Sequence, residues 1–163
     1  MQQKPDRLHQ INVTYHAGED RLLMRATTQE GDEYRIWLTR RFTGLLANIL
    51  MQAMDKFGGV AVLGANPTTR SMFKAGAMDQ AFDADKATEF PLGKNGFLAW
   101  AIKTADTPEG NLHLELLPKK GQGISLNLDK PLLYLFHNLL SQGIARAEWR
   151  IAQGQEAQSA RVH

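Results

Sequence analysis

The chain repeats one stretch of its own sequence at a fixed distance. Asp20–Phe57 aligns without a gap on Gly110–Ala147, ninety residues further along. A strand, a turn, a second strand, a cap and a helix that agree in one register indicate an internal repeat, because self-similarity at a fixed period is the signature of repeated structural units. The coinciding pairs are Leu22/Leu112, Met24/Leu114, Gly31/Gly121, Tyr34/Ile124, Ile36/Leu126, Leu38/Leu128, Phe42/Leu132, Leu45/Leu135, Leu46/Phe136, Asn48/Asn138, Ile49/Leu139, Leu50/Leu140, Gln52/Gln142 and Met54/Ile144.

The period of the apolar residues changes within each repeat. Arg21–Thr27 and Glu33–Leu38 alternate apolar with polar side chains, which is typical of half-buried strands. The apolar residues within 42–57 recur at helical spacing and predict one amphipathic helix. Thr39 and Asp129 precede the two helices, and we expect them to be N-caps, because their side-chain oxygens can accept hydrogen bonds from free amides of the first turn.

A further strand is predicted before each repeat. Ile11–Tyr15 alternates in the same way, and so does the stretch around residue 100, where Leu98, Trp100 and Ile102 form the predicted buried face. The element order is therefore β-β-β-α, connector, β-β-β-α. This order predicts an α+β fold of two β-β-β-α repeats related by pseudo-two-fold symmetry, with antiparallel sheets covered by amphipathic helices.

The length fits a single domain over residues 1–163. Within the connector, Val60–Leu63 is a short apolar run, and a weak helix is predicted from about Thr68 to Phe82. The second helix is predicted from about Lys130 to Arg150. The other predicted parts are a loose arm over residues 1–9, repeats over about 11–57 and 97–150, a connector over 58–96, a loop over 104–110 and a flexible tail over 153–163.

Composition excludes several kinds of site. The sequence contains no cysteine, which excludes disulfides, zinc–thiolate sites, iron–sulfur clusters and thiol nucleophiles. The pI is about 9.0, but the formal net charge is only +2, so the charge balance alone does not demand a polyanionic partner. No apolar run approaches the roughly 18 residues that cross a bilayer, and the first residues lack the apolar core of a signal peptide. We therefore expect a soluble cytoplasmic protein with no membrane partner.

Basic and aromatic side chains are concentrated opposite the predicted core face of the first repeat. Arginine suits phosphate contacts, and an aromatic ring on a sheet surface offers a stacking platform for bases. The equivalent positions of the second repeat are polar and nearly neutral. They are Asn111, His113, Glu115, Ser125 and Asn127. The candidate binding face of the first repeat consists of Arg21, Leu23, Arg25, Arg35, Trp37, Arg40 and Arg41.

Three interpretations of this candidate face are open. On a solvated structural face, the arginines pair with neighbouring carboxylates. In a protein–protein interface, Trp37 and Leu23 lie at the centre, since tryptophan and arginine are enriched there. In a nucleic-acid site, the arginines hold phosphates while Trp37 stacks on a base. The carboxylates within reach are Glu19, Asp20, Glu30 and Glu33.

The sequence contains no pattern that predicts a reaction. No histidine stands at close metal-ligand spacing with another histidine or a carboxylate pair, and His137 is expected near the edge of the buried stripe of the second helix. The region after Gly58 lacks the lysine and hydroxyl of a phosphate-binding loop, and no Gly-x-Ser-x-Gly elbow is present. The aspartates of residues 79–85 do not match a calcium loop. We predict no catalytic residue, no metal and no cofactor.

The repeated sheet-then-helix organisation resembles the Whirly, PC4-like and PUR group of single-stranded nucleic-acid-binding proteins. In that group, strand meanders that each lead into a helix pair up, and their sheets offer a basic, aromatic surface. The resemblance covers about Ile11–Phe57 and Phe97–Arg150, and no residue signature of those families is matched. Repeats of that group commonly carry four strands, whereas three are predicted here. The resemblance rests on element order and on the patch Arg21, Arg25, Arg35 and Trp37.

Two functions from different classes follow from these observations. The first is a non-catalytic interaction module that acts through homodimer or protein-partner contacts, and it needs only the apolar and arginine-rich face. The second is single-stranded nucleic-acid binding through the same face, which the resemblance implies. An enzyme is not predicted, because no acid–base or nucleophile constellation emerges.

Overall fold

The computed structural model describes residues 8–56 and 88–150. Within these residues the chain forms seven strands and two helices, and the α+β class is confirmed. The strands are β1 (Leu8–His16), β2 (Arg21–Thr28), β3 (Glu33–Leu38), β4 (Phe97–Leu98), β5 (Ala101–Asp106), β6 (Leu112–Leu117) and β7 (Ile124–Leu128), and the helices are α1 (Arg40–Lys56) and α2 (Lys130–Ala147).

The first sheet has the strand order β1-β2-β3-β4. Its first three strands form the predicted antiparallel meander, in which Leu22 lies opposite Leu38 and Met24 lies opposite Ile36. These side chains are buried, and their neighbours along each strand point to the opposite face, because side chains alternate across a sheet. The apolar face of the meander is therefore its core face, as the alternation predicted.

The second sheet has the order β5-β6-β7, and all its pairs are antiparallel. Leu112 lies opposite Leu128, and Leu114 lies opposite Leu126. In the first sheet, the pairs at positions ninety residues earlier are Leu22 with Leu38 and Met24 with Ile36. The last strand of each sheet's meander also leads directly into a helix, β3 into α1 and β7 into α2.

Both helices begin at the predicted caps. Thr39 accepts a hydrogen bond from the Phe42 amide through its side-chain oxygen, at 3.2 Å. Asp129 accepts one from the Leu132 amide at 2.9 Å, and a proline follows in the first turn, where a missing amide donor costs nothing. Helix α2 ends at Ala147, before the predicted limit, because Glu148 adopts a left-handed conformation with φ 57° that terminates the helix.

The core lies between the sheets and the helices, and α2 joins the two halves of the chain. This helix packs against α1 and also against β1 of the first sheet. A side-chain carbon built at Gly143 would lie 3.0 Å from Leu22 and 3.1 Å from Val13. A larger residue at this position would push these two side chains aside by a few tenths of an ångström, so the second half packs directly on the core of the first.

The end of α2 is also held by the turn between β1 and β2. Asp20 accepts hydrogen bonds from the Tyr15 hydroxyl at 2.6 Å and from the Trp149 indole nitrogen at 2.9 Å. The two aromatic rings meet edge to face, 6.0 Å apart. At the corresponding end of α1, Lys56 forms an ion pair with Asp106 of the second sheet. Each helix therefore ends against the first hairpin of the other half.

The prediction of one strand around residue 100 is wrong, and so is the predicted burial of Leu98 and Trp100, whereas Ile102 is partly buried and packs against the core as predicted. Phe97–Leu98 belongs to the first sheet, and the strand of the second sheet starts at Ala101. Between them, the Ala99 amide donates to the Trp37 carbonyl and the Trp100 amide donates to the Leu117 carbonyl. This crossing between sheets buries Ala99 and turns the side chains on either side of it towards solvent.

Other boundaries also differ from the predictions. The predicted loose arm over residues 1–9 overlaps β1, which begins at Leu8, and its residues 1–7 lie outside the described residues. The predicted loop after residue 104 begins later, because β5 continues to Asp106. The first sheet gains a fourth strand, β4, which runs parallel to β3 rather than antiparallel. The predictions for Gly58-Gly59, Val60–Leu63, the weak helix over residues 68–82 and the tail over residues 153–163 lie outside the described residues.

Candidate functional site

Five residues of the candidate face lie together on the outer face of the first sheet, the side opposite the core. Arg25 lies directly opposite Arg35, and Leu23 lies directly opposite Trp37. Arg21 follows on the same face of β2. Arg40 and Arg41 do not join this surface, because they form the exposed first turn of α1, where Arg40 donates to the Arg150 carbonyl at 2.9 Å. The structure therefore divides the candidate face into a sheet surface and a helix start.

A single buried carboxylate pairs with the two central arginines. The Glu33 side chain is 0% exposed and accepts two hydrogen bonds from Arg25, both 3.3 Å long. It also accepts one from the Arg35 Nε at 2.5 Å. A buried charge requires such partners, since an unpaired one would cost several kcal/mol. The pairing expected for a structural face is thus present, and the two guanidinium groups already have an anionic partner.

Trp37 is half-buried beneath its neighbours. The Arg21 guanidinium lies 4.3 Å from the centre of the indole ring, and the His16 ring meets it edge to face at 5.5 Å. The indole nitrogen donates to the Asn95 carbonyl at 3.0 Å. Arg21 also pairs with Glu19 at 3.0 Å. The ring predicted to be an open stacking platform is therefore already stacked within the protein.

Residues 88–98 run along the edge of β3 and over part of the outer face. The Glu33 amide donates to the Glu89 carbonyl at 2.9 Å, and Arg35 donates to the Lys94 carbonyl at 2.9 Å. At Gly96, with φ 69°, a side-chain carbon would lie 2.2 Å from the Arg35 carbonyl oxygen, so only glycine fits. The pairing of this segment with β3 was not predicted, because a stretch that contains proline and glycine is typical of a connector.

Two large apolar side chains are exposed beside this surface. Leu98 is 40% exposed and Trp100 is 61% exposed, and they flank the buried Ala99. Leu98 lies next to Trp37 in the register of β3 and β4, so it continues the row formed by Leu23 and Trp37. Buried and exposed residues do alternate here, but Ala99 is the buried one and the two large side chains predicted to be buried are exposed. We refer to Leu98 and Trp100 as the exposed pair.

Basic side chains lie over the aromatic rings of Trp100 and Phe90. The Lys119 amine lies 5.2 Å from the centre of the Trp100 ring. The Phe90 ring has the Arg35 guanidinium at 5.0 Å and the Lys94 amine at 5.7 Å. Such contacts are attractive because the ring face is electronegative. Together with the stack on Trp37, these contacts place a cation over each of three aromatic rings.

The outer face of the second sheet has a different chemistry. His113 and Asn127 lie opposite each other, and their side chains meet through the His113 Nδ1 and the Asn127 Oδ1, 2.7 Å apart. Ser125 donates to Glu115 at 3.5 Å. These residues occupy the positions equivalent to Leu23, Trp37, Arg35 and Arg25 at the ninety-residue offset. The polar contrast predicted between the two faces is present.

The described residues contain no group of three or more histidine, aspartate or glutamate side chains placed to hold a metal. Burial lowers the pKa of His137, whose Nε2 is buried and finds no hydrogen-bond partner in the described part of the chain. The hydrogen bond from Tyr15, followed by that from Trp149, lowers the pKa of Asp20.

Comparisons of the chain with protein-family models, with curated proteins and with solved structures give no match. Within residues 8–56 and 88–150, neither helix is both long enough and apolar enough to cross a membrane.

Proposed function

We propose that the protein is a non-catalytic interaction module that acts through protein contacts, with another chain or with a second copy, at the exposed pair. The observation that carries the proposal is the exposure of Leu98 and Trp100, two large apolar side chains only two positions apart in the chain. Single exposed apolar residues are normal on protein surfaces, whereas larger apolar patches mark contact sites. Leu98 lies next to Trp37 and so continues the half-buried row of Leu23 and Trp37 across the sheet.

Tryptophan is the residue type that most often dominates a protein–protein interface. In this surface Trp100 would be the central anchor, with Leu98 beside it and Lys119 at the rim. Arg25 and Arg35 would contribute contact area more than electrostatic attraction to a partner, because Glu33 already neutralises part of their charge. This arrangement supports a protein contact more directly than a surface of unpaired arginines would.

Single-stranded nucleic acid is a second candidate partner, and a specific observation favours it. Cations accompany three aromatic rings, those of Phe90, Trp37 and Trp100. Single-strand-binding surfaces combine such aromatic platforms with basic groups that follow the backbone. In this candidate the stacking residue would be Trp100 rather than Trp37, since Trp37 is already covered, and Lys119 would contact phosphate.

We also propose that the two halves are related by pseudo-two-fold symmetry within one domain. The proposal is supported by the equal registers of β2 with β3 and of β6 with β7 at the ninety-residue offset. It is further supported by the reciprocal contacts of the two helix ends with the hairpin of the other half. A superposition of Leu22–Met54 on Leu112–Ile144 tests it, and a poor fit of the helices on each other would reject it.

The experiment for the exposed pair compares Trp100→Ser with a matched variant on the helix layer, Met51→Ser. Met51 is a partly exposed apolar residue of α1, away from the outer face. Partner capture quantified by mass spectrometry, together with sedimentation, should give proteins that the wild type and Met51→Ser retain and Trp100→Ser loses. Equal recovery by all three proteins would reject the proposal that Trp100 is the contact.

A titration with a single-stranded oligonucleotide separates the second candidate from the first. If Trp100 stacks on a base, Trp100→Ala should lose about 1–3 kcal/mol of binding free energy. Lys119→Ala should flatten the salt dependence by about 0.7 in the log–log slope, which is the increment for one phosphate contact on a single strand. Absence of binding at low salt would leave protein contacts as the proposed function.

A further inference from the structure

We propose that β7 is a homodimerisation edge, at which the β7 strands of two copies pair antiparallel and join the two second sheets into one. This inference goes beyond the proposed function, because it uses a different surface and does not require the exposed pair to bind anything. It follows from a difference between the two sheets, from the composition of β7 and from the fit of β7 to its own copy.

The two sheets differ at the edge of their last long strand. The outer edge of β3 is occupied by β4, which pairs with it at Ile36 and Trp37. The strand at the equivalent position, β7, pairs only with β6 among the described residues. An unoccupied edge presents a row of backbone amides and carbonyls, which is a template for an added strand.

Strand β7 also lacks the features that usually prevent edge pairing. Proteins protect such edges with charged side chains, prolines or bulges. The strand Ile124–Leu128 contains no charged residue and no proline, and its register with β6 has no irregularity. The edge strand of the first sheet differs, since β1 has a register shift between Leu8 and Gln10. The other edge of the second sheet, β5, carries Lys103 and Asp106.

The sequence of β7 fits a second copy of itself. In an antiparallel pair centred on Leu126, Ser125 of each copy lies opposite Asn127 of the other. Both side chains are neutral and lie on the outer face, so two-fold pairing brings no like charges together. At the next pair on the same face, Asp129 of each copy lies opposite Gly123 of the other. Two-fold symmetry makes every such contact twice, as is usual for homodimers.

Two double variants at the same sites test the pairing. Ser125→Lys with Asn127→Lys places lysine opposite lysine twice across the two-fold axis, whereas Ser125→Lys with Asn127→Glu places lysine opposite glutamate twice. Within one copy, the lysine introduced at position 125 lies beside Glu115 in both variants. Like and opposite charges across strands differ by up to about 1–2 kcal/mol per pair, so we expect the dimer of the lysine–lysine variant to be at least about tenfold weaker.

Sedimentation equilibrium over a concentration series measures the dimer dissociation constant, and circular dichroism confirms that each variant is folded. We expect the wild type and the lysine–glutamate variant to dimerise, and Trp100→Ser to leave the dimer unchanged. Amide exchange in β7 should slow as the protein concentration of the wild type rises. The inference is overturned by a monomeric wild type, by equal dissociation constants for the two double variants, or by loss of the dimer in Trp100→Ser. The last result would instead assign the dimer to the exposed pair, so failures of the two proposals are distinguishable.

Discussion

The two sheets share the register of their core faces, but their outer faces differ in chemistry. On the core faces, Leu22 pairs with Leu38 as Leu112 pairs with Leu128. On the outer faces, the positions of Arg25 and Arg35 in the first sheet are those of Glu115 and Ser125 in the second. Packing requires apolar side chains on the inner face of both sheets, whereas no common requirement acts on the outer faces.

The outer faces also differ in what covers them. Residues 88–98 occupy the edge of β3 and contact the side chains of Arg35 and Trp37. Within the described residues, no equivalent segment lies on β7. A buried ionic cluster has therefore formed only in the first sheet, where Glu33 is enclosed. At the equivalent position the second sheet has Gly123, which has no side chain to pair. The sheet whose edge is occupied by residues 88–98 is therefore also the sheet that contains the buried carboxylate of Glu33.

Removal of the buried carboxylate should produce the largest difference between the sheets. We expect Glu33→Ala to lower the free energy of unfolding by about 3 kcal/mol or more, because it removes the buried carboxylate that two partly buried guanidinium groups share. Glu115→Ala, on the more polar outer face of the second sheet, should change it by about 0.5 kcal/mol or less. Denaturant unfolding measures both values. Equal losses in the two variants would mean that the cluster is not a special feature of the first sheet.

Truncation of one buried leucine side chain in each helix tests whether the two halves are equally well packed. Leu50 in α1 and Leu140 in α2 are both fully buried and stand at equivalent positions. We expect Leu50→Ala and Leu140→Ala each to lower the free energy of unfolding by about 2–5 kcal/mol, the usual loss for a buried leucine that leaves a cavity. Chemical denaturation provides the measurement. A loss below about 1 kcal/mol in only one variant would show that one helix can collapse onto its cavity and the other cannot.

The core faces could be predicted from the sequence because their determinants are local. Alternation predicted the buried face of β2, β3, β6 and β7, and helical spacing predicted most of the buried face of α2. It predicted the buried face of α1 only in part, because Thr43, Ala47 and Asn48 are also buried whereas the apolar Leu45 and Ile49 are only half-buried. The caps at Thr39 and Asp129 were predictable for the same reason, since a cap uses atoms within three residues along the chain.

The site was only partly predictable, because its contacts are distant in sequence. Glu33 was among the carboxylates expected to pair with the arginines, but its enclosure depends on a segment that lies more than fifty residues further along the chain. The exposure of Trp100 depends on the crossing between sheets, which is set by carbonyls of Trp37 and Leu117.

A histidine on only one of the two helices should make the pH dependence of stability asymmetric. His137 of α2 stands where α1 has Ala47. Burial lowers the pKa of His137, so the folded protein takes up the proton at lower pH than the unfolded chain does. Its contribution to stability is therefore complete above about pH 6.5 and is lost as the pH falls through the folded pKa. His137→Gln should flatten this part of the stability curve, measured by urea unfolding between about pH 7 and pH 5. An unchanged slope would mean that His137 is solvated when the protein is folded.

The smallest expected effect concerns the two helix ends, which are held by different chemistry. Asp20 accepts hydrogen bonds from Tyr15 and Trp149, and these lower the pKa of its carboxyl group. The stability that this carboxylate provides is present above about pH 3.9, the ordinary pKa of an unfolded aspartate, and is lost as the pH falls through the lower folded pKa. Tyr15→Phe should raise the pKa of Asp20 in the folded protein towards the ordinary value. The free energy of unfolding should then depend less steeply on pH in the acidic range. Trp149→Phe should do the same to a smaller extent, because its hydrogen bond is the second-largest cause.

The exposed ion pair at the other helix end provides the control for this comparison. Lys56 and Asp106 are both at least half exposed, and such pairs contribute about 0–1 kcal/mol. Lys56→Met should therefore leave the neutral-pH stability within about 0.5 kcal/mol of the wild type. Urea unfolding of the three variants at several acidic pH values separates the two ends. If Tyr15→Phe and Trp149→Phe keep the wild-type pH dependence in the acidic range, the end of α2 is held by the packing of the Trp149 ring on Tyr15, and the hydrogen bonds to Asp20 contribute little to the contact between the halves.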